Sequence, residues 1–325
     1  MRRGGKSTSA AKATSGGSGE EREPNGGLGP SKPEPALPPI PTALPASPAP
    51  GLHLVATPIG NLGDVSLRAL AVLRGADRIY CEDTRVTARL LGRYGVKTPL
   101  EPYHDHNAKT MRPAILAALG RGERVALVSD AGTPLVCDPG YKLVRAAIAE
   151  GLPVTAAPGA SAALTALILS GLPPDRFLFG GFLPRQRAAR RTALAGWAAL
   201  DATLVFYEAP PRLAAALADM AEILGTRPAA VARELTKFHE EVRRGSLEEL
   251  ASHYRAAGPP RGETVVVVGP PVPAPPPDED EIERRLRAAV AELGVRDAAA
   301  KLAAETGLPR NALYRQALTI REEGR

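Results

Sequence analysis

The chain has 325 residues, 44% of them apolar, and a formal net charge of +6. That leaves room for two or three globular units with an ordinary core and points to an anionic partner, nucleic acid being the commonest, although the start of the chain carries part of the excess. The two cysteines, Cys81 and Cys137, stand far apart and outside any C-x-x-C pattern, so neither a disulfide framework nor a zinc site is indicated and reduced thiols are expected. The longest apolar run, Ala160 to Leu169, is too short to span a bilayer, and no apolar segment of export-signal length follows Arg2 and Arg3, so a cytoplasmic protein is expected.

Residues 1–50 are rich in Gly, Ser, Pro, Lys and Ala with almost no large apolar side chains, and are expected to be disordered because they bury too little surface to offset their ordering entropy. Order is expected from Leu52. A strand to Pro58 leads through the loop I-G-N-L-G-D to a helix capped by Ser66 and running to Arg74. Strand Arg78 to Cys81 precedes helix Thr84 to Tyr94, and strand Pro99 to Tyr103 precedes helix Met111 to Leu119. The buried run Val125 to Val128 ends in S-D-A-G-T-P-L-V-C-D-P-G, with Asp138 as N-cap and Pro139 as first position of a helix Gly140 to Glu150. A fifth strand, Pro153 to Ala156, enters helix Ala162 to Leu169 through P-G-A-S. Strands alternating with helices at this spacing predict a parallel sheet with its loops gathered at one edge.

A second alternation after Asp175 predicts strands Phe177 to Phe182, Thr203 to Tyr207, Ala230 to Glu234 and Thr264 to Val268, with helices Ala188 to Ala199, Leu213 to Leu224 and Leu247 to Ala256 between them. The expected fold class is therefore two α/β domains, 51–171 and 172–270, with a ligand cleft between them. Residues 271–325 are expected to be a proline-rich linker and a helical tail, in which two apolar-periodic helices around T-G-L-P-R have the pattern of a helix-turn-helix. Arg310, Asn311 and Arg315 fall in or beside its second helix, where nucleic acid can be met.

No G-x-G-x-x-G or G-x-x-x-x-G-K-[ST] spacing occurs, which disfavours a dinucleotide enzyme or a P-loop ATPase. No H-E-x-x-H or Cys/His cluster occurs, so no metal is called for. In H-D-H-N, His104 and His106 project to opposite sides if the segment is extended, and it reads better as an acid/base or substrate loop.

The motifs V-A-T-P-I-G-N-L-G-D, C-E-D-T-R-V-T-A-R-L-L, Y-H-D-H-N, V-S-D-A-G-T-P-L-V-C-D-P-G, A-P-G-A-S-A, G-F-L-P-R and F-Y-E-A-P-P-R-L, in this order from residue 52 to about 270, together resemble the ribosomal RNA small-subunit methyltransferase I family, the cytidine-2′-O branch of the tetrapyrrole-methylase-like enzymes. The tail is similar to the family's helix-turn-helix extension, whereas the long amino-terminal segment departs from the pattern. The resemblance implies S-adenosylmethionine folded into the interdomain cleft, 16S rRNA of the small ribosomal subunit as substrate, and a homodimer. By motif, Pro58, Asp130, Gly132, Thr133, Pro134, Ser161 and Ala162 of the first domain would hold the cofactor, joined by Tyr207, Leu235 and Thr264 of the second. The residue types suit such a ligand. Gly and Pro loops free backbone groups for an adenine and a carboxylate, and Asp130 can hold a hydroxyl or an amine, or else cap its own loop.

An attack of a ribose hydroxyl on an activated methyl group needs alignment and a proton acceptor, for which Glu82, Asp83 and His104 are the candidates. Each also has a structural reading, as a surface ion pair with Arg85 or a solvated loop. Arg85 can instead orient a substrate phosphate. Arg187, Arg190 and Arg191 share one helix face with Arg185 just before them, a stripe expected either to contact phosphates or to be solvated. Two other readings stand beside the RNA methylase: a methyltransferase acting on a tetrapyrrole or other small molecule, and a non-catalytic RNA-binding module.

Overall fold

A computed structural model describes residues 48–272 and 278–323. The expected disorder of the amino-terminal tail falls on residues 1–47 and part of the proline-rich linker on 273–277, both outside the described residues.

Five strands form the first sheet: β1 (Gly51–Val55), β2 (Arg78–Cys81), β3 (Leu100–Pro102), β4 (Arg124–Val128) and β5 (Val154–Ala157). They lie in the order β3-β2-β4-β1-β5 and every pairing is parallel, as the alternation predicts. Parallel neighbours need long crossovers, here the helices α1 (Leu67–Gly75), α2 (Thr84–Arg93), α3 (Ala108–Gly120) and α4 (Tyr141–Ala149). Successive side chains of β4 go to opposite faces. Val125 and Leu127 pack with Tyr103, Ile115 and Leu143, while Ala126 and Val128 pack with Leu73 and Ile79. Because the strands all run one way, the loops that follow them meet at a single edge.

Two details fix those loops. Ser66 caps α1 as expected, its hydroxyl accepting from Ala69 N at 3.0 Å. The expected cap of α4 by Asp138 is not made. Gly140 occupies the cap at φ 134, where a Cβ would come within 2.8 Å of Leu127, and the helix starts at Tyr141. Only glycine meets that backbone angle and that space, so the turn closes two residues later and leaves Asp138 to accept a hydrogen bond from the Ser129 hydroxyl.

The second sheet holds β6 (Phe177–Phe182), β7 (Thr203–Glu208), β8 (Pro228–Arg233), β9 (Glu241–Ser246) and β10 (Thr264–Val268) in the order β6-β7-β10-β8-β9. Only β6 and β7 pair in parallel; the rest is antiparallel. Helices α6 (Arg187–Trp197), α7 (Leu213–Leu224) and α8 (Leu247–Ala257) cover one face, enclosing Phe206, Leu217, Met220 and Val266. The other face is covered by α5 (Ala162–Ser170), which follows β5 of the first sheet: Ala163, Ala166 and Leu167 pack against Val205, Val265 and Val267. A helix that is apolar nearly all round is thus the joint between the two halves.

The tail contains α9 (Glu279–Leu293), α10 (Val295–Thr306) and α11 (Arg310–Glu323) around a core of its own, including Ile282, Leu286, Leu302, Leu313 and Ile320. Gly307, at φ 70, ends α10 in the left-handed conformation, and the two expected helices flank it. Arg310, Asn311 and Arg315 lie exposed on α11. Among the described residues no helix is long and apolar enough to cross a membrane.

Candidate active site

A cavity of about 420 Å³ opens where the loop edge of the first sheet meets the second sheet. From the first sheet come Ile59, residues 130–138 of the loop after β4, and Ser161 with Ala162 at the start of α5. From the second come Phe182 at the end of β6, Tyr207 to Pro210 at the end of β7, Leu235 after β8, and Gly262 to Val265 entering β10. Antiparallel pairing sets Thr264 opposite both Glu208 and Arg233, which is why the start of one strand and the ends of two others share this edge.

The loops that line the cavity are held out of relaxed geometry. Among the described residues the non-glycine positions with left-handed backbone are Leu135, Cys137, Glu234 and Thr236, at φ 69, 67, 48 and 65. All four fall in the two loops after β4 and β8. Such conformations persist only where surrounding contacts over-determine them, and they concentrate at ligand sites. The contacts are visible. Thr57 and Gly132 exchange backbone hydrogen bonds at 2.9 and 3.1 Å, tying the loop after β1 to the loop after β4. The Thr133 hydroxyl donates to the Ala160 carbonyl at 3.1 Å. Across the two halves, Asn61 N donates to Thr236 Oγ1 at 3.1 Å, and a Cβ on Gly60 would come within 2.5 Å of Lys237. Lys237 reaches Glu234 at 2.9 Å and Glu263 at 3.0 Å, and a Cβ on Gly262 would strike Glu234.

Of the ten residues expected at the cofactor, Asp130, Thr133, Ser161, Ala162, Tyr207, Leu235 and Thr264 line this cavity. Pro58, Gly132 and Pro134 do not; they are buried and shape the loops behind it. In I-G-N only Ile59 reaches the cavity, while Gly60 and Asn61 clasp the second half. The side chains that sequence reasoning left out are chiefly Cys137, Asp138, Phe182, Glu208 and Glu263. Phe182 stands edge-on to Tyr207 with centroids 5.4 Å apart. Glu208 is buried against Arg212, Nε to Oε1 3.1 Å; its burial raises the carboxyl pKa, which the Ala209 amide and Arg212 oppose. A strand-end carboxylate before a Pro-Pro turn was the signal for it.

The candidate bases separate. Asp83 caps α2, accepting from Arg85 N at 2.8 Å, and pairs with the Arg85 guanidinium at 2.6 Å. Those bonds pull its pKa to about 2, so it is a weak proton acceptor, and they tie up Arg85 as well. Asp130 takes a hydrogen bond from Asp83 N at 3.0 Å, which couples the loops after β2 and β4 without closing off its face on the cavity. Glu82 is exposed and has no ion-pair partner among the described residues. Partial burial raises its pKa, and the carboxylates of Asp130, Asp138 and Asp105 push it the same way. A base needs such a shift toward the operating pH. His104 turns rather than extends: its N–H donates to Asn107 Oδ1 at 2.9 Å, and its ring meets that of His106 edge to face, centroids 5.9 Å apart. The segment is a turn and not extended, so the two rings meet instead of projecting to opposite sides. Nδ1 of His104 is buried with no partner.

The arginine stripe of α6 meets carboxylates of α7. Arg190 is 5% exposed and donates to Asp219, 2% exposed, at 2.8 and 2.5 Å. Arg187 reaches Asp219 at 3.0 Å and Arg191 reaches Glu222 at 2.6 Å. Burial pushes the Asp219 carboxyl up, but the bonds from Arg187 and Arg190 outweigh it and hold its pKa below the ordinary value. Two carboxylates of α7 thus engage three guanidiniums, of which Arg190 is buried while Arg187 keeps most of its side chain in solvent. Arg185 is exposed.

The residues present fit S-adenosylmethionine. The Ser161 side chain makes no capping bond, so its hydroxyl and the first amides of α5 face the cavity, a place for a carboxylate. Asp130 can bind hydroxyls or an amine, and Ile59, Tyr207 and Leu235 offer apolar cover to an adenine.

Comparison with known proteins agrees. Residues 51–251 match the family model for Tetrapyrrole (Corrin/Porphyrin) Methylases, and residues 276–321 the RsmI C-terminal HTH domain. Ribosomal RNA small subunit methyltransferase I of Mesorhizobium japonicum is 51% identical over 86% of this chain and 96% of its own length. The protein of the same name from Erythrobacter litoralis is 52% identical over 84% and 96%, and that from Synechocystis 43% identical over 84% and 99%. Among solved structures, the cobalamin biosynthetic enzyme cobalt precorrin-4 methyltransferase CbiF and the methyltransferase CobJ share the fold, with TM-scores of 0.51 and 0.52 at 16% and 22% identity, covering 67% and 68% of this chain and 94% of each of theirs. The chain belongs to the tetrapyrrole methylase family and, within it, to the ribosomal RNA small subunit methyltransferase I group.

Proposed function

We propose that this chain transfers a methyl group from S-adenosylmethionine to the 2′-hydroxyl of a cytidine ribose in 16S rRNA of the small ribosomal subunit. The observation that carries the reading is the meeting, in one cavity, of the loops expected to hold the cofactor, with a carboxylate of raised pKa beside it. When bound, S-adenosylmethionine supplies a methyl group already activated on a sulfonium. The chain's part is to position and to take a proton. Ser161 and the first amides of α5 hold the carboxylate end, Asp130 and Thr133 the polar groups, and Tyr207, Leu235 and Thr264 the second-half wall. Glu82 accepts the hydroxyl proton. His104, with its unpartnered Nδ1, orients the ribose or the carboxylate.

The tail contributes through the exposed Arg310, Asn311 and Arg315, which suit RNA. Two separate sheets and a separate tail core support functional units at 51–171, 172–270 and 271–325. A homodimer in the cytoplasm is the expected working form, supported by Leu164 and Ile168 of α5, 49% and 72% exposed, which a second copy would cover. Incubation of the protein and tritiated cofactor with small ribosomal subunits, and separately with tetrapyrrole precursors, tests the reading. Label in ribose-methylated cytidine is expected; label only in the small molecules would overturn it.

A further inference from the structure

Beside the cofactor cavity lies a second one, of about 210 Å³, between the H-D-H-N turn, α3 and the start of α4. Asp138 stands in the walls of both. We propose that this second cavity is the subsite for a backbone phosphate of the RNA next to the ribose to be methylated, held by Lys109 and Arg112 of α3 and Lys142 of α4. The inference rests on RNA being the substrate.

Three observations carry it. Lys109 and Arg112, at i and i+3, share one face of α3, and Lys142 faces them from α4. Unlike the guanidiniums of α6, none of the three is ion-paired among the described residues, and Arg112 Nε is buried without a partner while its guanidinium contacts the Tyr103 phenol. Two acids share the wall, but Asp138 is already engaged by the Ser129 hydroxyl and Asp105 is exposed, so the cations keep the excess. Second, α4 begins at Gly140 with no side-chain cap, so its first amides are open on this side, where an oxyanion is favoured. Tyr141, 64% exposed beside them, presents a ring on which a neighbouring base can stack. Third, the placement is right for the chemistry. Glu82 lies within electrostatic reach of Asp105, in the wall of the smaller cavity, and of Asp130, in the wall of the larger. A phosphate in the smaller cavity and the methyl donor in the larger would set the intervening ribose against it.

The test uses the full chain with Lys109→Ala and Lys142→Ala together, both residues being exposed and dispensable to the core. Binding to small ribosomal subunits is titrated between roughly 50 and 200 mM salt, a range over which phosphate contacts are resolved. The slope of log affinity against log salt is expected to shrink by about 0.7 to 0.9, the share of one phosphate, and the KM for subunits to rise on the order of tenfold, with cofactor affinity unchanged. Lys109→Arg with Lys142→Arg should restore both. Tyr141→Ala should weaken binding on the order of tenfold without altering the slope. If the wild type methylates ribosomal RNA and the double alanine variant keeps slope and KM, the subsite is refuted and the functional reading stands. If the wild type methylates no RNA, both fall.

Discussion

Two basic clusters of this chain look alike in sequence and differ in structure. On α6, Arg187, Arg190 and Arg191 face Asp219 and Glu222 of α7, and the network is partly buried. On α3 and α4, Lys109, Arg112 and Lys142 surround an open cavity whose two carboxylates, Asp105 and Asp138, form no ion pair with them among the described residues. The first cluster fastens two helices together; the second is left with charge to offer. Residue type and helical spacing do not separate such cases, because the deciding carboxylates stand 29 and 31 residues away in the chain. What separates them is who already holds each cation.

The sharpest way to break the comparison is at Asp219. Asp219→Ala would leave Arg190 buried and unpaired, with an expected loss of about 3–5 kcal/mol in urea unfolding. A loss below about 1 kcal/mol would show that the network is ornamental. The same pair predicts an acid sensitivity. The folded pKa of Asp219 is depressed, so its stabilisation is fully present above the unfolded carboxylate value of roughly 3.9 and is lost as pH falls through the lower folded value. Wild type should therefore lose stability below about pH 4 more steeply than Asp219→Asn.

Next in size is the base. Glu82→Gln should slow methyl transfer on the order of 100-fold with cofactor and RNA affinity nearly unchanged. Because burial and the Asp130, Asp138 and Asp105 charges raise the Glu82 pKa, the wild-type rate should fall on the acid side at a pH above the ordinary carboxylate value of about 4.3. Asp83→Asn should cost far less, since Arg85 already holds that carboxylate ionised. An unaltered rate in Glu82→Gln would transfer the role to His104. The smallest effect is expected of Arg187→Ala with Arg191→Ala: both pairs are partly solvated, and the loss of stability in urea unfolding should be well below that of Asp219→Ala.

The legible parts are those where one residue decides a local structure. Alternating apolar runs predict the parallel first sheet, Ser66 predicts a cap, and Gly307 marks the turn between the last two helices. α9 carries local signals of the same kind, with Asp278 as its cap and Ile282, Leu286 and Ala289 following at helical spacing. Where partners are distant the reading fails. β9, E-V-R-R-G-S, has no apolar alternation because it is the edge of the second sheet, with Arg243 and Arg244 turned outward or toward the α5 carbonyls. Asp138 and Pro139 carry every local signal of a helix start, yet the steric limit at Gly140, set by Leu127 of β4, overrides them. The cavity's second wall is the hardest. Glu208 and Glu263 come together through the antiparallel register of β7 and β10, and Phe182 joins them through the parallel pairing of β6 with β7, neither of which a local pattern encodes.

The most direct measurement sets the two clusters side by side: salt titrations of binding to small ribosomal subunits by wild type, by Arg187→Ala with Arg191→Ala, and by Lys109→Ala with Lys142→Ala. If pairing decides which cations meet RNA, the α6 variant keeps the wild-type slope and the α3 and α4 variant loses about 0.7 to 0.9 from it. A reduced slope in the α6 variant alone would contradict this and return the RNA surface to the arginine stripe.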